Sequence, residues 1–258
     1  MSLLEVADLG IDFGGVRAVD GVGFAANPGE ILSVIGPNGA GKTTLFNMIS
    51  GVYRPKRGRV ALDGRDVTAM APHLLAAMGL SRTFQNLQVY LRMSALENVM
   101  AGRHLAEGGH VLADLFGLPA SRRRTRETAE IARGLLARVG LERAAEREAA
   151  GLSYGALKRL EIARALAASP RLLLLDEPAA GCNAVETEEI DRLIAQIAAE
   201  GVGVLLVEHD MKLVMRISTR VVVMDQGRKI AEGPPAAVSR DPAVIAAYLG
   251  EGATHALG

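Results

Sequence analysis

The stretch Gly36-Pro37-Asn38-Gly39-Ala40-Gly41-Lys42-Thr43-Thr44 fits the pattern G-x-x-x-x-G-K-[ST] without a gap. Residues 31–35 before it are apolar and partly β-branched, which is typical of a buried strand. After it, apolar residues recur on one helical face: Leu45, Met48 and Ile49. A glycine-rich loop between a strand and a helix lets backbone N–H groups surround phosphate oxygens, and the helix N-terminus adds a partial positive charge. We therefore predict a phosphate-binding loop in which Lys42 contacts the β- and γ-phosphates and the Thr43 hydroxyl binds Mg²⁺.

The composition narrows the class of protein further. The chain has 258 residues, of which 49% are hydrophobic, so it is large enough for one domain, or a domain with a subdomain, around a real core. Lys and Arg together number 29, as do Asp and Glu, so the net charge is zero. Proteins that bind nucleic acids usually carry an excess of basic residues, which this chain does not have. We therefore expect no nucleic-acid partner. Cys182 is the single cysteine, which excludes an internal disulfide and fits a reducing cytoplasm.

We predict neither a signal peptide nor a membrane span. The segment Met1-Ser2-Leu3-Leu4-Glu5 has no basic region followed by an apolar core. No apolar run approaches the roughly 18 residues of a transmembrane helix. Any role at a membrane would therefore depend on a partner chain.

The order of the predicted elements indicates an α/β fold. Short strands over about 3–9, 19–24 and 58–62 predict a small antiparallel layer near the phosphate loop. Residues from about 87 to 160 are mostly helix formers. The chain then returns to a β-α-β unit, with strands at 171–176 and 202–207 around an amphipathic helix at 186–199. We predict a single domain over 1–258, with a helical subdomain at about 87–160 inserted in the α/β core.

Two acidic residues follow the strand Leu172-Leu173-Leu174-Leu175. In an open α/β sheet, ligands bind at the carboxyl ends of the strands, where Asp176 and Glu177 would lie. Asp176 would hold Mg²⁺ through its water shell. Glu177 would accept a proton from an attacking water. The alternative is a solvent-exposed acidic turn.

The segment Leu152-Ser153-Tyr154-Gly155-Ala156 resembles L-S-G-G-Q, the signature of the ABC-transporter ATPases. Further positions match the family in order between residues 3 and 250: Phe13, Gln85 in Thr83-Phe84-Gln85, and His209 in Val207-Glu208-His209-Asp210. The resemblance implies a RecA-like phosphate-loop core with an antiparallel β layer and a helical subdomain. It also implies that ATP and Mg²⁺ bind, and that Phe13 stacks on adenine, Gln85 binds Mg²⁺ and His209 contacts the γ-phosphate.

The same resemblance implies an active site shared between two chains. In the family, the signature serine and glycine, here Ser153 and Gly155, contact the γ-phosphate bound to the other subunit. We therefore expect a homodimer, or a heterodimer with a second ABC ATPase, with two ATP molecules in its interface. Three residues depart from the general pattern: Tyr154 and Ala156 in the signature, and Asn183 at the position of a family aspartate.

A narrower resemblance is to the ATPase subunits of branched-chain amino acid importers. Four runs carry it: Leu160 to Leu166, Pro178-Ala179-Ala180-Gly181, Glu208 to Met215, and Ala247-Tyr248-Leu249-Gly250. Such a subunit is peripheral, lies on the cytoplasmic face of the inner membrane, binds integral permease subunits and serves a periplasmic binding protein indirectly. A lipopolysaccharide-export ATPase shares the aromatic signature and the Y-L-G ending, and it is the alternative.

Other classes fit the sequence less well. A phosphate-loop kinase would not need the signature at 152–156. Non-transport ABC ATPases usually carry a long coiled coil or tandem ATPase units, for which 258 residues leave no room. The basic cluster Arg122 to Arg126 has two interpretations, a patch facing acidic lipids or a partner, and an ordinary solvated helix face. We expect residues 86–91 to contact a cytoplasmic helix of the membrane partner.

Overall fold

The computed structural model describes residues 2–103 and 119–254. The described chain forms two compact units. The first contains the residues up to Leu75, Arg171–Glu177 and the residues from Ile194 onward. The second contains the described part of Ala76–Pro170 together with Pro178–Leu193.

The central sheet of the first unit surrounds the phosphate-loop strand. Its strands are β3 (Ile31–Ile35), β7 (Leu172–Asp176), β8 (Gly203–Val207), β9 (Arg220–Asp225) and β10 (Arg228–Gly233). In this unit they lie in the order β10-β9-β3-β8-β7, and β10 alone among them runs antiparallel to its neighbour. Every residue of β3, β7 and β8 is buried, as expected for parallel strands covered on both faces.

The register of the parallel strands places the predicted site residues at one edge. Val207 is in register with Val34 on one side and with Asp176 on the other. The three strands β3, β7 and β8 therefore end at nearly the same level. The phosphate loop, Glu177 and His209 all follow these strand ends, at the edge where open α/β sheets bind ligands.

A second, antiparallel sheet forms the predicted β layer. It contains β1 (Leu4–Phe13), β2 (Val16–Ala26), β4 (Arg57–Leu62) and β5 (Arg65–Asp66), in the order β2-β1-β4-β5. Both β1 and β2 are longer than the sequence predicts. Register shifts and the positive φ of 51° at Asp8 mark a bulge in β1, which interrupts the alternation on which the predicted end at Leu9 depends.

The remaining elements of the first unit are helices. They are α1 (Lys42–Ile49), α7 (Met211–Ile217), α8 (Pro235–Val238) and α9 (Pro242–Thr254). Two further helices have residues in both units: α2 (Pro72–Ala77) and α6 (Ala184–Ala199). The amphipathic pattern predicted for 186–199 is present in α6, whose inner apolar residues are all buried: Ile190, Leu193, Ile194 and Ile197.

The second unit is mainly helical. Its elements are β6 (Leu80–Arg82), α3 (Ala95–Gly102), α4 (Pro119–Arg138) and α5 (Tyr154–Leu166), with 3₁₀ turns at Glu142–Ala144 and Ala149–Gly151. Its core is built from residues of the three helices: Ala95, Val99, Ala132, Leu136, Leu160 and Ala163. The end of α3 lies close against α5, since a Cβ added at Gly102 would stand 2.3 Å from the Arg164 carbonyl oxygen.

Two sequence predictions extend beyond the described residues. The predicted helical segment at about 87–160 includes residues 104–118, which lie outside them. In the basic cluster, the side chain of Arg122 also lies outside, whereas Arg123 is exposed and forms an ion pair of 2.9 Å with Glu127 one turn along α4. Across 2–103 and 119–254, no helix is both long and apolar enough to cross a membrane.

Candidate functional site

The phosphate loop is built on close backbone approaches that only glycine permits. At Gly36 the φ angle is 151°, and an added Cβ would stand 2.0 Å from the Met224 carbonyl oxygen. At Gly41, with φ of 97°, it would stand 2.3 Å from the Ala18 carbonyl oxygen. Both contacts are with backbone, which cannot move aside. The two glycines therefore hold the loop in a form that a side chain at either position would disrupt.

The Lys42 side chain turns back into this loop. Its Nζ donates hydrogen bonds of 2.6 Å and 2.8 Å to the carbonyl oxygens of Gly36 and Pro37. The side chain is buried, with 9% of its surface exposed. The Lys42 ammonium therefore lies against the loop that would hold a phosphate chain, and phosphate oxygens are stronger acceptors than these carbonyls.

The start of α1 carries no acid of its own. Its N-cap is Gly41, which supplies no side-chain hydrogen bond, and the first turn contains no acidic residue. The Thr43 hydroxyl belongs to an exposed residue of this turn. The positive end of the helix and the Lys42 ammonium therefore act in the same direction, toward a negatively charged ligand.

The acidic residues predicted to act in the site lie at the end of β7. Asp176 is buried, with 3% exposed, and Glu177 follows it with a positive φ of 49°. The Glu177 N–H donates to the Val207 carbonyl oxygen at 3.0 Å, which continues the β7–β8 pairing beyond the strand end. A positive φ is costly for glutamate, and such strain is concentrated at functional sites.

His209 lies beside Glu177. The Nδ1 atom of His209 is 3.5 Å from Oε1 of Glu177, and its side chain is largely exposed. Hydrogen bonds of the two neighbouring residues, Glu208 and Asp210, fix the position of His209. Its N–H donates to a carboxylate oxygen of Glu208 at 3.2 Å, and Asp210 caps α7 by accepting from the N–H groups of Lys212 and Leu213.

Phe13 is exposed and pairs with a second aromatic residue. Its ring and that of Tyr53 meet edge to face, with centroids 5.5 Å apart. The two side chains expose 47% and 37% of their surface, so Phe13 is not an ordinary core residue. Tyr53 is not among the site residues predicted from the sequence. Its only signal was its rarity, since just 3% of the chain is aromatic.

The signature segment begins α5 in the second unit. Ser153 is the N-cap of α5, and its Oγ accepts from the Ala156 N–H at 3.3 Å. The Glu186 carboxylate lies against the same turn, where its Oε1 accepts from Ser153 Oγ at 3.1 Å and from the Gly155 N–H at 3.2 Å. Glu186 is not among the site residues predicted from the sequence.

Glu186 also belongs to a capping box at the start of α6. Its Oε2 accepts from the Asn183 N–H, and Asn183 Oδ1 accepts from the Glu186 N–H. The bond from Asn183 is the largest cause that holds the pKa of Glu186 below its usual value. The spacing Asn183-x-x-Glu186 is the sequence pattern of such a box, so the pairing could have been predicted. The contact with Ser153 could not, since it joins residues 33 apart in the chain.

The predicted site residues divide between the two units. The first unit contains Phe13 and, at one edge of its central sheet, the phosphate loop together with Asp176, Glu177 and His209. Gln85, Ser153 and Gly155 belong to the second unit, where Gln85 is exposed in the segment after β6. Oxygen donors such as the Thr43 hydroxyl and the Asp176 carboxylate suit Mg²⁺, so the donor set fits this ion. The glycine cradle and Lys42 likewise fit a phosphate chain.

Comparison with known proteins identifies the family. The model of the ABC transporter family matches residues 19–180. The chain belongs to this family. A second model, the branched-chain amino acid ATP-binding cassette transporter, matches residues 228–254. Both the family and the fold class predicted from the sequence are therefore confirmed.

Individual relatives agree with this assignment. The chain is 47% identical over 250 residues to the high-affinity branched-chain amino acid transport ATP-binding protein BraF of Pseudomonas aeruginosa, covering 96% of this chain and 98% of that one. It is 40% identical over 223 residues to the lipopolysaccharide export system ATP-binding protein LptB of Acidithiobacillus ferridurans, covering 86% of each. The solved ADP conformation of MJ1267, an ATP-binding cassette of an ABC transporter, superposes with a TM-score of 0.85 at 34% identity and covers 97% of this chain and 99% of that one.

Proposed function

We propose that this chain binds and hydrolyses ATP as the peripheral subunit of an ABC importer, on the cytoplasmic face of the inner membrane. The observation that carries the hydrolytic part is the pair Glu177 and His209. They stand 3.5 Å apart at the edge of the sheet where the phosphate loop also begins. A carboxylate and an imidazole in contact are suited to orient a water and remove its proton, and here they lie next to the phosphate loop.

Each residue has a distinct part in the proposed reaction. Phe13 stacks on adenine, and residues 36–44 hold the phosphates with Lys42 against the β- and γ-groups. Thr43, Gln85 and Asp176 hold Mg²⁺, which neutralises charge on the phosphate oxygens when bound. Glu177 accepts the proton of the attacking water, and His209 hydrogen-bonds the γ-phosphate. Ser153 and Gly155 contact the γ-phosphate held by the other ATPase subunit, so ATP closes a homodimer or heterodimer and hydrolysis reopens it.

The test of hydrolysis is Glu177→Gln. The amide keeps the shape of the side chain but cannot accept the proton, so turnover should fall about 10²–10⁴-fold while ATP still binds. ATP should then trap a dimer that size-exclusion chromatography detects. Glu188→Gln is the matched control, since Glu188 is an exposed carboxylate that pairs with Arg192 on α6. Unchanged hydrolysis in Glu177→Gln would remove Glu177 from this role.

We further propose that the imported solutes are branched-chain amino acids. The similarity to BraF, the match at 228–254 and the run Glu208 to Met215 support this choice. The partners would be integral permease subunits and, indirectly, a periplasmic binding protein. Deletion of the gene should reduce uptake of radiolabelled leucine, isoleucine or valine, and re-expression should restore it.

Export of lipopolysaccharide is the second candidate. The similarity to LptB, the aromatic Tyr154 in the signature and the ending Tyr248-Leu249-Gly250 favour it. The same deletion strain separates the two functions. Normal uptake of all three amino acids together with defective outer-membrane assembly would replace the import proposal by export.

A further inference from the structure

A buried carboxylate of α5 forms a hydrogen bond with the segment that contains Gln85. Glu161 lies on α5 with 5% of its surface exposed. Its Oε1 accepts from the Gln88 N–H at 3.1 Å, and the Phe84 N–H lies near enough to the same carboxylate to oppose the rise in its pKa. These two donors stand on either side of Gln85 in the chain. One carboxylate therefore faces backbone N–H groups on both sides of the predicted Mg²⁺ ligand and is bonded to the one at Gln88.

Arg164, one turn further along α5, holds the same segment. Its guanidinium donates to the Gln88 carbonyl oxygen and lies 4.7 Å from the centre of the Tyr90 ring. Both polar groups of the Gln88 backbone are thus bonded to side chains of α5. The segment is neither helix nor strand, so these bonds replace the backbone ladder that would otherwise fix its position.

The far end of the segment is held by α3. Asn98 is fully buried, and its Oδ1 accepts from the Tyr90 N–H at 2.8 Å while its Nδ2 donates to the Tyr90 carbonyl oxygen at 3.0 Å. Three side chains on two helices therefore attach the segment at Gln88 and Tyr90. The attachment nearer to Gln85 is the one to α5, at Gln88.

The use of a charged group here indicates a function beyond packing. Burial raises the pKa of Glu161, against the opposing effect of the two N–H donors and of the nearby Lys158 and Arg164. A neutral glutamine would supply an acceptor at this position with a smaller desolvation cost. A carboxylate, unlike an amide, makes a charge-assisted bond with the Gln88 N–H, and such bonds are shorter and stronger than neutral ones.

We propose that Glu161 is a positioning residue for Gln85. It ties the segment after β6 to the helix whose N-cap is Ser153, eight residues earlier and about 12 Å along the axis. The inference rests on the proposed function, in which Gln85 binds Mg²⁺ in one subunit and Ser153 contacts the ATP of the other. With Glu161 in place, a shift of the segment is passed to α5 as a whole, so both parts of the proposed ATP site move together.

The test is a double-mutant cycle on Mg²⁺ dependence. ATP hydrolysis by the full chain is titrated with Mg²⁺ in wild type, Glu161→Ala, Gln85→Ala and the double variant, and ATP binding is measured in EDTA. Glu161→Ala should raise the half-saturating Mg²⁺ about tenfold and leave metal-free ATP affinity unchanged. In the Gln85→Ala background the same change should have no further effect, because Glu161 acts through Gln85.

Two further variants separate positioning from folding. Glu161→Gln should recover part of the Mg²⁺ response, since an amide oxygen still accepts one bond, and it serves alone if Glu161→Ala does not fold. Glu97→Ala is the matched control, because Glu97 is another carboxylate of the second unit that accepts a backbone N–H, that of Ser94. It should lower the unfolding midpoint without moving the Mg²⁺ response.

The outcomes distinguish the two levels of the proposal. If Gln85→Ala leaves the Mg²⁺ response unchanged, the role proposed for Gln85 is wrong, and the inference about Glu161 is lost with it. If Gln85→Ala raises the half-saturating Mg²⁺ but Glu161→Ala does not, or if the two effects add in full, Glu161 does not position Gln85 and the inference alone is overturned.

Discussion

Helices α1 and α5 both begin where the proposed function requires a phosphate, yet their first turns differ. The turn of α1 has a glycine N-cap and no acid, and Lys42 stands behind it. The turn of α5 has a serine N-cap, and the Glu186 carboxylate of the second unit already accepts from Ser153 and Gly155. The first helix start is thus kept open for an external anion, whereas the second holds an internal one.

Because of this difference, binding of a phosphate would require different changes at the starts of α1 and α5. The first turn of α1 contains no acid, so no carboxylate of that turn has to move aside for an anion. At α5 the carboxylate satisfies the Gly155 N–H and the serine hydroxyl while the chain is alone, which avoids the cost of unpaired polar groups. A γ-phosphate from a second subunit would have to displace it. The two helix starts would therefore differ in their affinity for phosphate even though both are helix N-termini.

The largest expected effect comes from placing a carboxylate in the first turn of α1, as α6 has at Glu186. Thr44 occupies the third position of α1, as Glu186 does in α6. Thr44→Glu would place a carboxylate near the phosphate seat, and a like charge at about 4 Å costs about 4 kcal/mol near a protein surface. We expect ATP affinity to fall about 10³-fold in a fluorescent-nucleotide titration. The unfolding midpoint should not fall, because an acid in a first turn stabilises the helix.

Thr44→Gln is the control for this substitution. It adds the same bulk without the charge, so its ATP affinity should stay well above that of Thr44→Glu. Equal losses in the two variants would mean that size rather than charge governs the seat. The contrast between the two helix starts would then lack an electrostatic basis.

The next largest effect is expected at the aromatic pair Phe13 and Tyr53, which lies in the same unit as α1. Phe13→Ala should weaken ATP binding by about 1–3 kcal/mol, the value of one base–aromatic stack. GTP binding should weaken to a similar extent, because stacking does not read the base edges. Tyr53→Leu removes the edge contact but keeps an apolar side chain, and it should have a smaller effect. Unchanged nucleotide affinity in Phe13→Ala would exclude the stack.

The open helix start could be predicted from sequence because its cause is local. A strand, a glycine loop with Lys42 and a helix are contiguous, and Asp176 and Glu177 directly follow a run of leucines. The register of parallel strands then brings these short segments together without further information. The roles of the individual residues remain predictions, but their presence at one sheet edge follows from the topology.

The occupied helix start could be predicted only in part. The spacing of Asn183 and Glu186 indicates a capping box, and the signature motif indicates a helix start at Ser153. Their contact depends on how the helices of the second unit pack, which no local pattern records. The grip of Glu161 on Gln88 is hidden for the same reason, since it joins residues 73 apart. Two of the side chains that the sequence did not reveal, Glu186 and Glu161, are thus acceptors of tertiary hydrogen bonds.

A smaller effect is expected from emptying the start of α5. Glu186→Ala, made in the Glu177→Gln background, leaves Ser153 and Gly155 available to an ATP from the second subunit. The ATP concentration for half-maximal dimer formation should fall about fivefold, less than the full value of a charge-assisted bond because water partly replaces the carboxylate. Glu188→Ala on the same helix is the control. Weaker dimer formation would instead make Glu186 a brace for the signature turn.

The smallest effect separates the capping box from the occupied helix start. Asn183→Ala removes the Oδ1 that accepts from the Val185 and Glu186 N–H groups, so the free energy of unfolding should fall by about 1 kcal/mol. The Asn183 N–H, which bonds Glu186, belongs to the backbone and survives the change. Glu186 should therefore stay on Ser153 and Gly155, and ATP-dependent dimer formation should stay as in the parent. Asn183→Asp keeps a capping oxygen and should retain stability within a few tenths of a kcal/mol. If Asn183→Ala instead strengthens dimer formation as much as Glu186→Ala, the loop at Asn183 rather than the carboxylate governs access to the start of α5.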